Sequence, residues 1–185
     1  MQVYISILRG INVGGHRTIK MDELRSIFVE MGFEDCQTYI QSGNVVFRCK
    51  KQNPGLLEKI ISSEILIRFN LSVPVIVREI ESLREIVSNF PFAPDPSTGN
   101  SQFHITFLSE IPDSNLAKNL EDVSFLPDQF QLIGKTLYLF CPNGYGNTKL
   151  NNTFFEGKLK VAATTRNWRT TLELLRIANQ ISAKS

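Results

Sequence analysis

Leu8-Arg9-Gly10-Ile11-Asn12-Val13-Gly14-Gly15-His16-Arg17 carries three glycines, two arginines and no acid, and it separates a segment of strand period from a segment of helical period. Before it, Val3, Ile5 and Ile7 alternate with Tyr4, Ser6 and Leu8, as a strand with one strongly buried face requires. After it, Met21, Leu24, Ile27, Phe28 and Met31 recur at three and four, along one helical face, and Gly32 is placed to stop that helix in a left-handed cap. The stretch is a strand-to-helix loop, and the order it opens sets the reading of everything downstream.

Thr38-Tyr39-Ile40-Gln41 and Asn44-Val45-Val46-Phe47 flank Ser42-Gly43, which predicts a hairpin with a two-residue connection. Asn53-Pro54 predicts an N-cap followed by proline at the first helical position, and Leu57, Ile60, Ile61 and Ile65 carry that helix to about Phe69. A short strand over Val73 to Val77 and a short helix with Ile80, Leu83 and Val87 follow. Pro91, Pro94, Pro96 and Gly99 then form a stretch unsuited to helix or central strand. Beyond it Phe103, Ile105 and Phe107 restart a strand, Leu116, Leu120 and Val123 fit a helix behind Pro112, and Gly134-Lys135 turns a second hairpin. Ala163-Thr164-Thr165-Arg166-Asn167-Trp168-Arg169-Thr170 opens a last helix with an apolar face of Trp168, Leu172, Leu175, Ala178 and Ile181, capped by Thr165 or Asn167.

The order strand-helix-strand-strand-helix with a closing strand thus occurs on both sides of the proline cluster. The expected fold is α+β: two tandem ferredoxin-like (split βαβ) units, each an antiparallel or mixed sheet with helices packed on it. The expected boundaries are 1–91 for the first unit, 92–100 for a proline-rich linker, and 101–185 for the second unit with its C-terminal helix. No residue-level repeat is apparent between the halves.

A chain of 185 residues with 42% hydrophobic content is long enough to bury a full core. Its net charge of +2, from 20 basic and 18 acidic groups, gives no strong long-range field, so electrostatic recognition must be local. Met1 to Gly10 lacks the unbroken apolar stretch of an export signal, and no apolar run approaches the ~20 residues of a membrane-spanning helix, so a cytoplasmic protein without membrane association is expected. Cys36, Cys49 and Cys141 are odd in number and fall at neither metal-ligand nor redox spacing, consistent with reduced structural residues.

The glycine-rich loop is the leading candidate site. Backbone N–H groups at Gly14 and Gly15 would face an anion unobstructed, while Arg9, His16, Arg17 and Lys20 add charge near a helix start. Its spacing matches neither G-x-G-x-x-G nor a phosphate loop, and Gly134-Lys135-Thr136 is better explained as a hairpin turn because Gln129 stands where a phosphate loop needs glycine. The second candidate is the last helix start, within the most basic region of the chain: Asn147 to Arg176 holds six basic residues against two acids. Ser42 and Asn44 present polar groups at the first hairpin. Ser42 has no nucleophile-elbow frame, and His16 and His104, far apart and without an acidic pattern, support neither a metal site nor a triad. His104 is expected on the polar face of its strand.

Three stretches, Leu8 to Gly15, Thr38 to Phe47 and Ala163 to Trp168, together resemble the bacterial family called domain of unknown function 1697. The resemblance spans the whole chain and implies an α+β arrangement of two ferredoxin-like halves. It brings no activity, cofactor or catalytic residue. Arg169 departs from the pattern, where a small polar residue such as Asn is usual.

The functional expectation is a module that binds a small phosphorylated or nucleotide-like anion. Its residues are Arg9, Asn12, Gly14, Gly15 and Arg17 from the loop, Ser42 and Asn44 from the hairpin, and Thr165, Arg166 and Asn167 near the last helix, with no metal and no cofactor implied. Three alternatives stand beside it. One is RNA or single-strand binding on a sheet face carrying Tyr4, Tyr39, Phe47 and Phe107. Another is an enzyme in which Arg9 or Arg166 stabilises developing charge and Asn12, Ser42 or Thr165 positions substrate, though no general base is identifiable. The last is a protein-interaction domain with an exposed apolar patch. The sequence leaves oligomeric state open.

Overall fold

The computed structural model describes residues 1–15, 17–93, 100–120 and 122–184. His16 of the candidate loop, and Pro94, Pro96 and Gly99 of the expected linker, lie outside the described residues. By its internal contacts the chain divides into two compact units, 1–85 together with 173–185, and 86–172.

The first unit runs β1 (Gln2–Leu8), α1 (Met21–Glu30), β2 (Glu34–Tyr39), β3 (Asn44–Cys49), α2 (Pro54–Phe69) and β4 (Val75–Glu79), and α3 (Ile80–Ser88) follows β4 without a loop. Its strands form an antiparallel sheet in the order β2-β3-β1-β4. The second runs β5 (Phe103–Leu108), α4 (Ser114–Lys118), β6 (Gln129–Ile133), β7 (Thr136–Phe140), a 3₁₀ turn at Tyr145–Asn147, α5 (Asn152–Leu159) and β8 (Ala163–Asn167), and α6 (Trp168–Ser182) follows β8. Its sheet, also antiparallel, has the order β6-β7-β5-β8. The molecule is an α+β protein with two four-stranded sheets and, among the described residues, six α-helices.

The core of the first unit gathers Tyr4, Leu8, Phe28, Phe33 and Phe47 with Leu57, Ile61 and Ile65 of α2. Phe33 stacks on Phe47 with ring centroids 4.6 Å apart, and Phe28 meets Phe47 edge-on at 5.3 Å. In the second unit Leu108, Leu137, Leu139 and Cys141 of the strand region pack with Phe155 and Leu159 of α5.

Five local readings need correction. The first hairpin closes through four residues, Ile40 to Gly43, because Tyr39 is the partner of Asn44. Ile40 (φ +49°) and Gly43 (φ +77°) both take left-handed backbone, and the Asn44 amide closes the turn onto the Tyr39 carbonyl at 3.1 Å and Ser42 Oγ at 3.0 Å. Residues 163–167 are not a helix start but strand β8, paired with β5. β-Branched Thr164 and Thr165 suit a pleated surface, and pairing prevails over their capping chemistry. The helix begins at Trp168, where Asn167 Oδ1 accepts the Thr170 N–H at 2.7 Å, so Asn167 and not Thr165 is the cap. Helix α4, capped by Asp113, ends at Lys118, leaving Leu120 and Val123 beyond it. His104 is buried rather than solvent-facing, because every residue of β5 is covered. Along α6 the buried apolar residues are Trp168, Leu174, Ile177, Ala178 and Ile181, so Trp168, Ala178 and Ile181 of the expected face hold, while Leu172 and Leu175 are half-buried and Leu174 and Ile177 take their place. Helix α5 had no clear sequence signal, since Gly157 interrupts its short apolar pattern; Asn151 caps it through the Phe154 N–H at 3.0 Å.

The two sheets share one register. Tyr4 pairs with Phe47 and Glu79, as His104 pairs with Leu139 and Asn167; Ile5 pairs with Val46 and Arg78, as Ile105 pairs with Tyr138 and Arg166; Ser6 pairs with Val45 and Val77, as Thr106 pairs with Leu137 and Thr165. The repeat that residue identities conceal is therefore explicit in the pairing. It places a buried arginine at the same position of each fourth strand: Arg78 is 1% exposed and Arg166 8%. Each sends Nη1 to the carbonyl of the residue before it, Val77 at 3.0 Å and Thr165 at 2.8 Å, and burial pulls each guanidinium pKa down to about 10.

Both fourth strands are sheet edges with outward N–H groups to satisfy. In each unit a helix glutamate accepts one of them: Glu58 Oε1 from Val77 N and Glu156 Oε1 from Ala163 N, both at 2.9 Å. Glu58→Ala is expected to lower unfolding free energy by about 1–3 kcal/mol in urea titrations, the cost of orphaning a partly buried donor. Glu58→Gln, which keeps a carbonyl acceptor, should retain most of that stability, and exchange of the Val77 amide should accelerate only in the alanine variant.

Candidate loop site

The glycine-rich loop leaves the end of central strand β1 and is fixed at both ends before it projects. Leu8 N donates to Gly43 O at 2.8 Å and Arg9 N to Pro74 O at 2.9 Å. Ile11 and Ile19 are buried and belong to the core. Between them Asn12 takes a left-handed conformation (φ +56°), which asparagine tolerates better than most residues. Its side-chain amide donates to Ile19 O at 2.9 Å and to Gln41 O at 2.8 Å, its Oδ1 accepts the Ile19 N–H at 2.8 Å, and its main-chain N–H reaches Arg17 O at 3.2 Å. Asn12 thus closes the loop upon itself and ties it to the hairpin in one step.

Gly43 completes this junction by having no side chain. A Cβ there would lie 2.7 Å from Ile11 Cδ1 and 2.8 Å from Leu8 Cβ, on a backbone already at positive φ. The loop and hairpin stretches singled out in the sequence are therefore two halves of one packed junction. Ser42 and Asn44 belong to it as closers of the turn, bonded to each other.

Past Asn12 the loop is exposed. Val13, Gly14, Gly15 and Arg17 all face solvent, with φ of +60° at Gly14, +77° at Gly15 and +51° at Arg17. A Cβ at Gly14 or Gly15 would meet nothing within 4 Å, so these glycines serve the backbone path and leave it open to approach. Their N–H groups, and the Arg17 side chain, have no hydrogen-bond partner among the described residues. Arg17 Nη1 lies 3.7 Å from where a Gly10 Cβ would be, so the guanidinium folds back over the loop. Arg9 is half-buried and engaged within the fold. Lys20 pairs with Glu23 at 3.6 Å, and the first turn of α1 supplies its own acids, Asp22 and Glu23, to the helix dipole. The open positive potential of the loop therefore comes from its amides and Arg17.

Thr165, Arg166 and Asn167 belong to the second unit. There the Thr165 hydroxyl is a hub: it donates to Asn152 Oδ1 at 2.7 Å, accepts from the Tyr145 hydroxyl at 3.0 Å, and lies 2.7 Å from the hydroxyl of Thr106, its partner across the sheet. The His104 ring stacks on Tyr145 with centroids 4.7 Å apart, and its Nδ1 is buried without a partner among the described residues. Burial lowers the His104 pKa, partly offset by a hydrogen bond to the Gln102 backbone. Sequence reading missed Thr106 and Asn152, because no fixed spacing marks residues that only sheet pairing and a helix start bring together. Arg166 adds a bond from Nη1 to Thr164 Oγ1 at 3.2 Å.

Other chemistries find less support. Cys36, Cys49 and Cys141 are free and buried, and burial raises the thiols of Cys36 and Cys141 to about 11, far from a reactive thiolate. Among the described residues no three His, Cys, Asp or Glu side chains cluster as metal ligands, and no helix is long and apolar enough to cross a membrane. Tyr4, Phe47 and Phe107 are buried and Tyr39 half-buried, so none of the four rings expected to stack bases is fully exposed.

Fold and loop together define an α+β protein of two equivalently paired four-stranded sheets, the first carrying an elaborated strand-to-helix loop. The chain belongs to the family described as protein of unknown function (DUF1697), whose model matches residues 1–138 and so includes that loop and its hairpin. Its fold is similar to that of the conserved bacterial protein SP0830 from Streptococcus pneumoniae, with a TM-score of 0.73 and 18% identity over 96% of this chain and 98% of that one. No curated protein matches.

The His104 environment makes a signed prediction. Its folded pKa lies below the ordinary 6.5, so the unfolded chain takes up the proton first and stability falls as pH drops through about 6.5. Urea midpoints measured between pH 8 and pH 5 should show this loss in the wild type and a smaller one in His104→Gln.

Proposed function

We propose that the protein binds a small phosphorylated or nucleotide-like anion at the tip of loop 9–17. The observation that carries this reading is a loop held at its base by Asn12, Ile11 and Ile19 while the Gly14 and Gly15 amides at its tip stay open and the exposed Arg17 side chain lies over the same loop beside Gly10. Backbone held at positive φ in the non-glycine residues Asn12 and Arg17 costs on the order of 1–3 kcal/mol each, and such cost concentrates where a shape is needed for function. Consecutive amides in a left-handed turn offer a concave anion cradle, and an exposed guanidinium on the same loop can swing to it with bidentate donors suited to phosphate. In this reading Gly14, Gly15 and Arg17 contact the ligand, Arg9 contributes charge from the loop base, and Asn12, Ser42 and Asn44 position the cradle. Within the second unit, the hydrogen bonds of Thr165 and Asn167 and the burial of Arg166 favour structural roles there.

We further read each unit as ferredoxin-like, which the strand orders β2-β3-β1-β4 and β6-β7-β5-β8 support, with residues 92–100 joining the halves. Free, buried cysteines favour a cytoplasmic setting.

Thermal unfolding with inorganic phosphate, pyrophosphate, nucleotides and sugar phosphates tests the site. A ligand at ~100 times its dissociation constant should stabilise the wild type by about 2.7 kcal/mol. Arg17→Ala, at an exposed position, should melt with the unliganded wild type and lose most of the ligand-induced shift, and higher salt should weaken the effect. No shift from any of these anions, or an equal shift in Arg17→Ala, would remove the proposal.

A further inference from the structure

We propose that the protein forms a twofold-symmetric dimer through parallel pairing of helix α2 with α2 of a second copy of the chain. Helix α2 is apolar on two faces. Leu57, Ile61 and Ile65 are buried in the core of the first unit, whereas Leu56, Ile60 and Ile67 are 50%, 40% and 75% exposed, with Ser63 exposed between them. These four outward residues are spaced by four, three and four, the repeat of a helix-pairing seam, and they run along most of a 16-residue helix about 24 Å long. A helix that has only solvent on its outer side carries polar groups there.

The common frame does not ask for this stripe. Counted from the capping asparagines, Asn53 of α2 and Asn151 of α5, the buried residues Leu57 and Ile61 correspond to the buried Phe155 and Leu159, so the two helices turn the same face inward. On the outward side Ile60 corresponds to Lys158 and Lys59 to Gly157, and all four are exposed. Helix α5 ends after eight residues, while α2 runs for sixteen and adds Ile67 to its outer face. The second unit gives to water the face that the first makes aliphatic.

Residue type and charge select the occupant. Ile60 and Ile67 fall at the a positions of a heptad and Leu56 and Ser63 at the d positions, and β-branched residues at a with leucine at d favour a parallel pair. Lys59 then falls at g and Glu64 at e, so each Lys59 lies across the seam from the partner's Glu64, and the twofold axis makes this ion pair twice. Both groups are available for it. Lys59 meets no carboxylate among the described residues, and Glu64 gives only Oε1 to Arg68 Nε, at 3.1 Å, leaving Oε2 without a partner among them. Antiparallel pairing brings g against g and forfeits both ion pairs. The patch is therefore complementary to itself in one orientation, as a twofold interface requires.

Sedimentation equilibrium of the full chain tests the pairing. The mass should rise from 21.0 kDa toward twice that value as the protein is concentrated. A seam of two heptads is short, so the dissociation constant is expected on the order of 10 µM, within a titration from about 1 to about 100 µM. Ile67→Glu, at an exposed position, should keep the circular dichroism of the wild type and weaken association by about ten-fold or more. Lys59→Glu should weaken it less, and adding Glu64→Lys in the same chain should restore it. Ser63 meets the partner's Ser63 only in the parallel arrangement, and the native cysteines are buried, so Ser63→Cys should give a disulfide-linked dimer on mild oxidation. A monomer at every concentration, association indifferent to Ile67→Glu, no recovery in the charge-swapped chain, or a Ser63→Cys chain that associates without cross-linking would each overturn the proposal.

Discussion

One side-chain amide holds the first unit's distinctive feature in place. Asn12 spends both amide hydrogens and its oxygen on the main chain of Ile19 and Gln41, converting a long excursion between β1 and α1 into a closed ring seated on the first hairpin. The ring sits where it does because Gly43 offers no Cβ to Leu8 and Ile11. The Leu8–Gly43 hydrogen bond continues the sheet into the junction, and Ile11 and Ile19 sink its base into the core. Loop shape, hairpin closure and core packing are thus one constraint, and only the tip is released from it.

The element order was legible in the sequence because strand and helix periods differ and because Asn53-Pro54 and the glycines mark boundaries with defined chemistry. What failed to show was set by pairing. Thr164 and Thr165 carry the same signals at a strand end as at a helix cap, and only their partnership with Phe107 and Thr106 decides between the two. His104 sits in an alternating pattern that implies an exposed face, yet its strand is buried on both faces. The basic loop stood out as a candidate from composition. Asn12 as its organiser was not, because its partners Ile19 and Gln41 lie 7 and 29 residues away.

The shared register also explains how one pattern has produced unlike units. Both place an arginine in the fourth strand and a helix glutamate on the edge of that strand, so the frame is common. The first unit invests its first connection in the glycine-rich loop and the ten-residue helix α1. The second has a short connection, the five-residue helix α4, and a network of threonine, tyrosine, histidine and asparagine beneath its sheet. Each unit departs from the common frame in its first connection, by an added loop in one and a shortened helix in the other.

The most direct test of a cradle held open by Asn12 is an amide-resolved titration of the ¹⁵N-labelled chain with pyrophosphate, in the wild type and in Asn12→Ala. The account predicts saturable shifts at the Gly14, Gly15 and Arg17 amides of the wild type, lost in an Asn12→Ala chain that otherwise keeps its spectrum. Silent amides at these positions, or equal shifts in the two proteins, would contradict it.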